Sequence, residues 1–153
     1  MSAAKAKPKR ASKASRPPKL PIVIPESEAQ ANANATWSIP LPIGVRPASL
    51  NEIMAGHWSK GAALKKRDRR VIGIAAVMAG VPKATGKRRV SLAIVLPKGQ
   101  RRWDADGLFK SLLDALTHAE MLVDDNPKWC ELGTVSYSRG ERLSTIIVLE
   151  DCL

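Results

Sequence analysis

Cysteine is scarce. Cys130 and Cys152 are the only two in 153 residues, and neither sits in CxxC spacing or beside a pair of histidines. That excludes a zinc site and the disulfide framework of a small secreted domain, so reduced thiols in a cytoplasmic compartment are expected. Histidine is as sparse: His57 and His118 are too isolated to form a catalytic pair. No apolar run approaches the roughly 18 residues of a membrane span, so no membrane partner is expected. The basic opening, Met1 to Lys19, leads into no apolar stretch of the kind a secretory signal carries. Nothing repeats internally. Acidic residues are in the minority, 14 against 25 Lys and Arg, which gives a net charge of +11 and a pI near 10.1. Solubility needs far less, so the surplus points to a polyanionic partner, and nucleic acid is the commonest one.

What is present is one domain's worth of core. A hydrophobic content of 44% supports a packed interior. Residues 1–35 read as a disordered basic tail with seven basic and two acidic side chains, dominated by Ala, Lys, Ser and Pro, with only the patch Leu20–Ile24 to bury. The domain proper spans residues 36–153 and still carries about +6 of the total, so it is itself basic.

Trp37–Ile43 alternates in the manner of an edge strand, and a loop follows from Gly44 to about Trp58. A helix is expected from Ser59, as N-cap, to about Ala79, stopped by Gly80 and Pro82. Arg89–Leu96 reads as a central strand. A helix from about Asp104 to Ala119 carries the apolar stripe Leu108, Leu112, Ala115, Leu116 and Ala119. Two strands, Glu131–Ser138 and Arg142–Leu149, close the chain, joined at Ser138–Glu141. The order β-α-β-α-β-β predicts an α/β (α+β) domain, a mixed sheet of about four strands covered by two helices. Trp37, Trp58 and Trp129 are expected in a core or interface, and Trp103 in packing.

The chemistry concentrates around that second helix. Asp104 and Asp106 open it, Asp106, Lys110 and Asp114 follow one another at i, i+4, and Asp124 and Asp125 lie just past its end. An ordinary solvated face with two helical ion pairs would have the same pattern. The setting argues otherwise. Carboxylates repel DNA, and grouping them beside Arg101 and Arg102 makes sense when a hard divalent cation neutralises them and bridges to a phosphate. A helix of about 16 residues is roughly 24 Å long, however, so Asp125 meets Asp104 and Asp106 only if the chain doubles back or another subunit completes the site. Lys98, Arg101, Arg102, Lys65, Lys66, Arg67, Arg69 and Arg70 are the candidate DNA contacts.

Residues 101–125, Arg-Arg-Trp-Asp-Ala-Asp-Gly-Leu-Phe-Lys-Ser-Leu-Leu-Asp-Ala-Leu-Thr-His-Ala-Glu-Met-Leu-Val-Asp-Asp, resemble the signature of the RusA family of Holliday junction resolvases. That signature runs D-x-D-N-x-x-K, then D-A-L-T, then a D-D pair. Asp104 and Asp106 match its leading acids, Lys110 its lysine, Asp114–Thr117 the D-A-L-T, and Asp124-Asp125 the final pair. Pro47-Ala-Ser-Leu-Asn51 resembles the family's upstream P-x-S-x-N more weakly. The resemblance covers about residues 36–150. It implies a small homodimer, often encoded by phages or prophages, that cuts four-way DNA junctions by paired symmetric nicks in recombination and repair. It further implies metal ligation and catalysis by Asp104, Asp106 and Asp125 with magnesium (manganese as a substitute), an essential Lys110, and supporting roles for Asp114 and Asp124. One position departs: Gly107 stands where the family has Asn. A branched-DNA binder that does not cut, and a flap or fork nuclease, are the alternatives.

Overall fold

A computed structural model describes residues 34–152. Residues 1–33 of the expected tail 1–35, with its patch Leu20–Ile24, lie outside the described residues; its last residue, Ala35, instead joins the sheet edge, accepting from the Asp151 backbone N–H at 2.8 Å.

The central strand, β2 (Arg88–Pro97), has a strict two-residue alternation. Val90, Leu92, Ile94 and Leu96 point to one face and are almost completely buried, while Arg89, Ser91, Ala93 and Val95 point to the other and stay half-exposed. Such a strand needs a partner on each edge and a cover on one face. It pairs antiparallel with β4 (Ser144–Asp151) on one side and parallel with β3 (Cys130–Gly140) on the other. β1 (Thr36–Pro40) adds antiparallel to β4 at the sheet edge, giving the order β1-β4-β2-β3.

The two closing strands therefore do not pair with each other, although a short link joins them. β3 follows β2 through a helix, and a helical crossover produces a parallel neighbour. That leaves the other edge of β2 for β4. The link Glu141–Leu143 has to step past the end of β2, a gap of about 10 Å between strand neighbours two apart, which three extended residues span.

Three helices accompany the sheet. α1 (Leu50–Met54) is a short helix inside the stretch expected to be loop. α2 (Trp58–Met78) and α3 (Ala105–His118) match the two expected helices to within a residue or so. His57, not Ser59, caps α2: its Nδ1 accepts from the Ser59 backbone N–H at 3.3 Å. Leu108, Leu112, Ala115 and Leu116 of α3 join Ile72, Ala75 and Ala76 of α2 and the buried face of the sheet in one core. Trp37 and Trp103 pack against it, but Trp58 stands 78% exposed and is no core residue.

Gly61 sets the distance between α1 and α2. A Cβ there would lie 2.3 Å from the Ile53 carbonyl oxygen, so only glycine lets the short helix settle this close. No helix among the described residues is long and apolar enough to cross a membrane.

Candidate active site

α1 exists because its first turn is fully capped. Ser49 and Glu52 form a capping box: the Ser49 hydroxyl accepts from the Glu52 N–H, and the Glu52 carboxylate accepts from the Ser49 N–H at 2.7 Å. Arg46 donates to both oxygens of Glu52, at 2.8 and 2.6 Å. This bidentate contact is the main reason the Glu52 carboxyl is held down to about 2, against the partial burial that opposes it.

Two further ties press the 46–52 segment against the start of α3. The Arg46 guanidinium lies 3.9 Å from the centre of the Trp103 ring. On the other side Asp68, 2% exposed, accepts from the Ala48 N–H and from the Ser111 hydroxyl, each at 2.7 Å, and is paired with Arg67. From the sheet side, Tyr137 of β3 holds the approach to α3 by donating its hydroxyl to the Trp103 carbonyl at 2.6 Å. That hydroxyl titrates above its usual range, chiefly through burial, with Arg102 opposing and Asp104 reinforcing the rise. None of Arg46, Glu52, Asp68 or Ser111 was marked by the sequence as part of the site. The Ser-x-x-Glu box was a legible signal, and so was a lone acid in the cationic run Lys65–Arg70.

Between these ties is a hollow of about 210 Å³. Ser49, Leu50 and Asn51 form one wall, and Trp103, Asp104, Asp106, Gly107 and Lys110 the other. The two stretches carrying the family resemblance, some fifty residues apart in sequence, thus face each other across one cavity. Asp104 is the N-cap of α3 by backbone position, yet its carboxylate makes no capping hydrogen bond. Asp104, Asp106 and Lys110 are all exposed, and none forms an ion pair among the described residues. The two helical ion pairs that an ordinary solvated face would have here, Asp106 with Lys110 and Lys110 with Asp114, are both absent among the described residues. Asp114 instead accepts from Arg69 of α2 at 2.9 and 3.1 Å, and that contact holds its carboxyl below the usual range.

The rest of the acids separate cleanly. Of the twelve in the described segment, Glu52, Asp68, Asp114, Glu120, Glu131, Glu150 and Asp151 are ion-paired. The five that are not are Asp104, Asp106, Asp124, Asp125 and Glu141. Four of these five belong to the acids singled out in the sequence.

Asp124 and Asp125 are elsewhere. Asp124 organises its own loop, accepting from the Asp125 N–H at 2.8 Å and from the Asn126 side-chain amide. Asp125 is exposed beyond the far end of α3, a helix about 21 Å long. It reaches electrostatically to Cys130 at the start of β3, whose thiol is pushed up to about 11 by burial first and Asp125 second. Asp104 bears on Tyr137, seven residues and about 23 Å further along that strand. No group of three or more His, Cys, Asp or Glu able to hold a metal is gathered among the described residues. The expectation that Asp104, Asp106 and Asp125 share one ion is therefore not met within a single protomer. The reason is the unbroken α3 between them.

The donors that do converge still suit magnesium. That ion takes one or two carboxylates and completes its octahedron with waters and substrate oxygens. Asp104 and Asp106 supply two unpaired carboxylates, with the oxygens of Ser49 and Asn51 on the opposite wall. It fits as a two-carboxylate site.

The candidate DNA contacts fall into separate groups. Lys65, Lys66, Arg69 and Arg70 line an open cleft of about 550 Å³ with Ala62 and His118. Arg67 points the other way, spent on Asp68 and on the Arg46 carbonyl. Lys98 shares a hollow at the sheet end with Gly99, Arg139 and Gly140. Arg101 is exposed beside the acids, and Arg102 lies 5.4 Å from the Tyr137 ring centre. No protein-family model matches this chain, and a search of curated proteins finds no match.

Proposed function

We propose that this chain is a magnesium-dependent, structure-specific endodeoxyribonuclease of the RusA type. It cuts four-way DNA junctions by paired symmetric nicks and acts as a homodimer in recombination and repair. One observation carries the reading: Asp104, Asp106 and Lys110, without ion pairs among the described residues of a strongly basic chain, line a single cavity closed by Ser49–Asn51. Asp68 and Asp114, by contrast, are spent on Arg67 and Arg69.

In this reading Asp104 and Asp106 hold the ion. When bound, magnesium neutralises charge at the scissile phosphate and lowers the pKa of a coordinated water. Lys110, one turn along α3 from Asp106, sets an ammonium against the negative charge that grows on the phosphate oxygens. Arg101 and Arg102, adjoining the acids in sequence, draw the DNA backbone towards a site whose own carboxylates would repel it. Asp125 enters only from a second protomer.

The separation of Asp125 favours one alternative, a junction-binding protein that does not cut. Incubating the purified chain with a synthetic four-way junction and magnesium distinguishes the two. Paired nicks that vanish in Asp104→Asn, with binding retained, support the nuclease. Tight binding without nicks under any divalent ion supports the binder.

A further inference from the structure

We propose that the cleft between α2 and the end of α3 is a docking track for one duplex arm of the DNA substrate, set at a fixed distance from the acid cavity. The link to the acids rests on the nuclease reading, whereas the grip on duplex DNA does not.

The cleft's lining is mostly cationic: Lys65, Lys66, Arg69 and Arg70, with His118 and Ala62 completing it. A docking site for a folded protein would need aromatic or aliphatic anchors at its centre, and this one has none. Lys65 with Arg69, and Lys66 with Arg70, form two adjacent i, i+4 rows on the exposed side of α2, with about 5–6 Å between successive positions in each row. Regularly spaced cations of this kind match regularly spaced phosphates. The acid that interrupts the run, Asp68, is turned inward and buried, so it places no negative charge on this face. Lys65, Lys66 and Arg70 form no ion pair among the described residues, and Arg69 holds only the half-exposed Asp114.

The path from cleft to cavity is continuous along α3. Its buried positions leave one outward strip in which Asp106, Lys110, Asp114 and His118 recur every fourth residue. Asp106 and Lys110 line the acid cavity, His118 lines the cleft, and Arg69 neutralises Asp114 between them. Twelve helical residues put the two ends about 18 Å apart. A duplex seated in the cleft therefore meets no unopposed carboxylate until its backbone reaches Asp106. The cleft thereby selects substrates with a paired arm long enough to span that distance.

The test uses the full chain and the variant Lys66→Gln/Arg70→Gln. Both side chains are exposed and form no ion pair among the described residues, so an unchanged melting temperature is the check on folding. Affinity for a short blunt duplex is measured across a salt series for wild type, this variant and Asp104→Asn. The expected result is a salt slope shallower by about two, roughly one per lost phosphate contact, and at least about tenfold weaker binding. Asp104→Asn should keep the wild-type slope. If wild type never nicks a junction while the slope still falls in the variant, the cleavage reading is lost and the cleft stands. Duplex affinity and slope equal to wild type overturn the proposal. So does a loss of binding to poly-glutamate with duplex binding intact, which would reassign the cleft to an acidic protein.

Discussion

Arg46 stacks on Trp103 at 3.9 Å while both of its terminal nitrogens are committed to Glu52. One side chain thus joins the residue before Asp104 to the cap of the helix that forms the opposite cavity wall. The consequence is a pH dependence with a definite sign. Glu52 is depressed from 4.5 to about 2, so its carboxylate stabilises the fold fully above about pH 4.5 and loses that contribution as pH falls towards 2. Glu52 is 43% exposed, so solvent screening reduces the gain to about 1–2 kcal/mol. Glu52→Gln should be less stable than wild type by that amount at neutral pH, and the gap should close between pH 4.5 and 2. Urea unfolding across that range measures it, and a gap independent of pH would rule out the ion pair as its source.

Asp68 should be the most costly single acid to remove. Truncation to Ala strands the Ala48 N–H and the Ser111 hydroxyl in a buried site and frees Arg67. A loss of about 3 kcal/mol or more is expected. Ser111→Ala removes one hydrogen bond and leaves Asp68 its other partners, so about 1 kcal/mol is expected there. Denaturant midpoints with unchanged slopes provide the comparison. On the nuclease reading proposed above, both variants should also weaken junction cleavage, because the wall carrying Ser49 and Asn51 is released from α3.

Gly107 invites a substitution in the opposite direction. A Cβ at this position would meet the Leu50 backbone nitrogen at 3.5 Å, and the Asp104 carboxylate and the Leu50 Cβ at 3.8 Å, all ordinary contacts. Gly107→Asn should therefore fold, gaining a few tenths of a kcal/mol in helix propensity. Its amide would lie within reach of Asp104 and restrict that carboxylate's rotation. Such an outer contact changes metal affinity by about 10-fold or more. On the nuclease reading, the expected outcome is half-maximal nicking at a lower magnesium concentration, and a titration of nicking rate against magnesium reads it directly.

Much of this fold was legible because its elements are strongly periodic. The alternation of Arg89–Leu96 and the apolar stripe from Leu108 to Leu116 located β2 and α3 within two residues of their observed ends. α1 was missed because five residues are too few for helical periodicity to register, although Ser49 and Glu52 announced its cap. The placement of β3 and β4 on opposite sides of β2 was not legible at all. A short link reads as a hairpin, and only the competition for the two edges of β2 decides otherwise. In the site, the closeness of Asp104 and Asp106 in sequence placed both at the start of α3, but that both line one hollow with Ser49–Asn51 is a tertiary fact. The ties through Arg46 and Asp68 depend on contacts between distant segments, where spacing along the chain carries no information.

The position of Asp125 makes the strongest test of the nuclease reading, because it predicts an outcome that separate sites cannot produce. Within one protomer α3 holds Asp125 away from Asp104 and Asp106, so a three-carboxylate site must draw Asp125 from a partner. Asp106→Asn and Asp125→Asn homodimers should then each be inactive, since every site in either contains one lesion. In a mixed dimer the two lesions fall in the same site, and the other site is composed of intact residues from both chains. Mixing the two inactive variants under conditions that exchange subunits should therefore restore single nicks, up to about half the sites in the mixed dimers, without restoring paired ones. If each site lies within its own chain, every mixed dimer carries a lesion in both sites and no activity returns. If Asp125→Asn alone nicks normally, Asp125 has no catalytic role and the two-carboxylate cavity is the whole metal site.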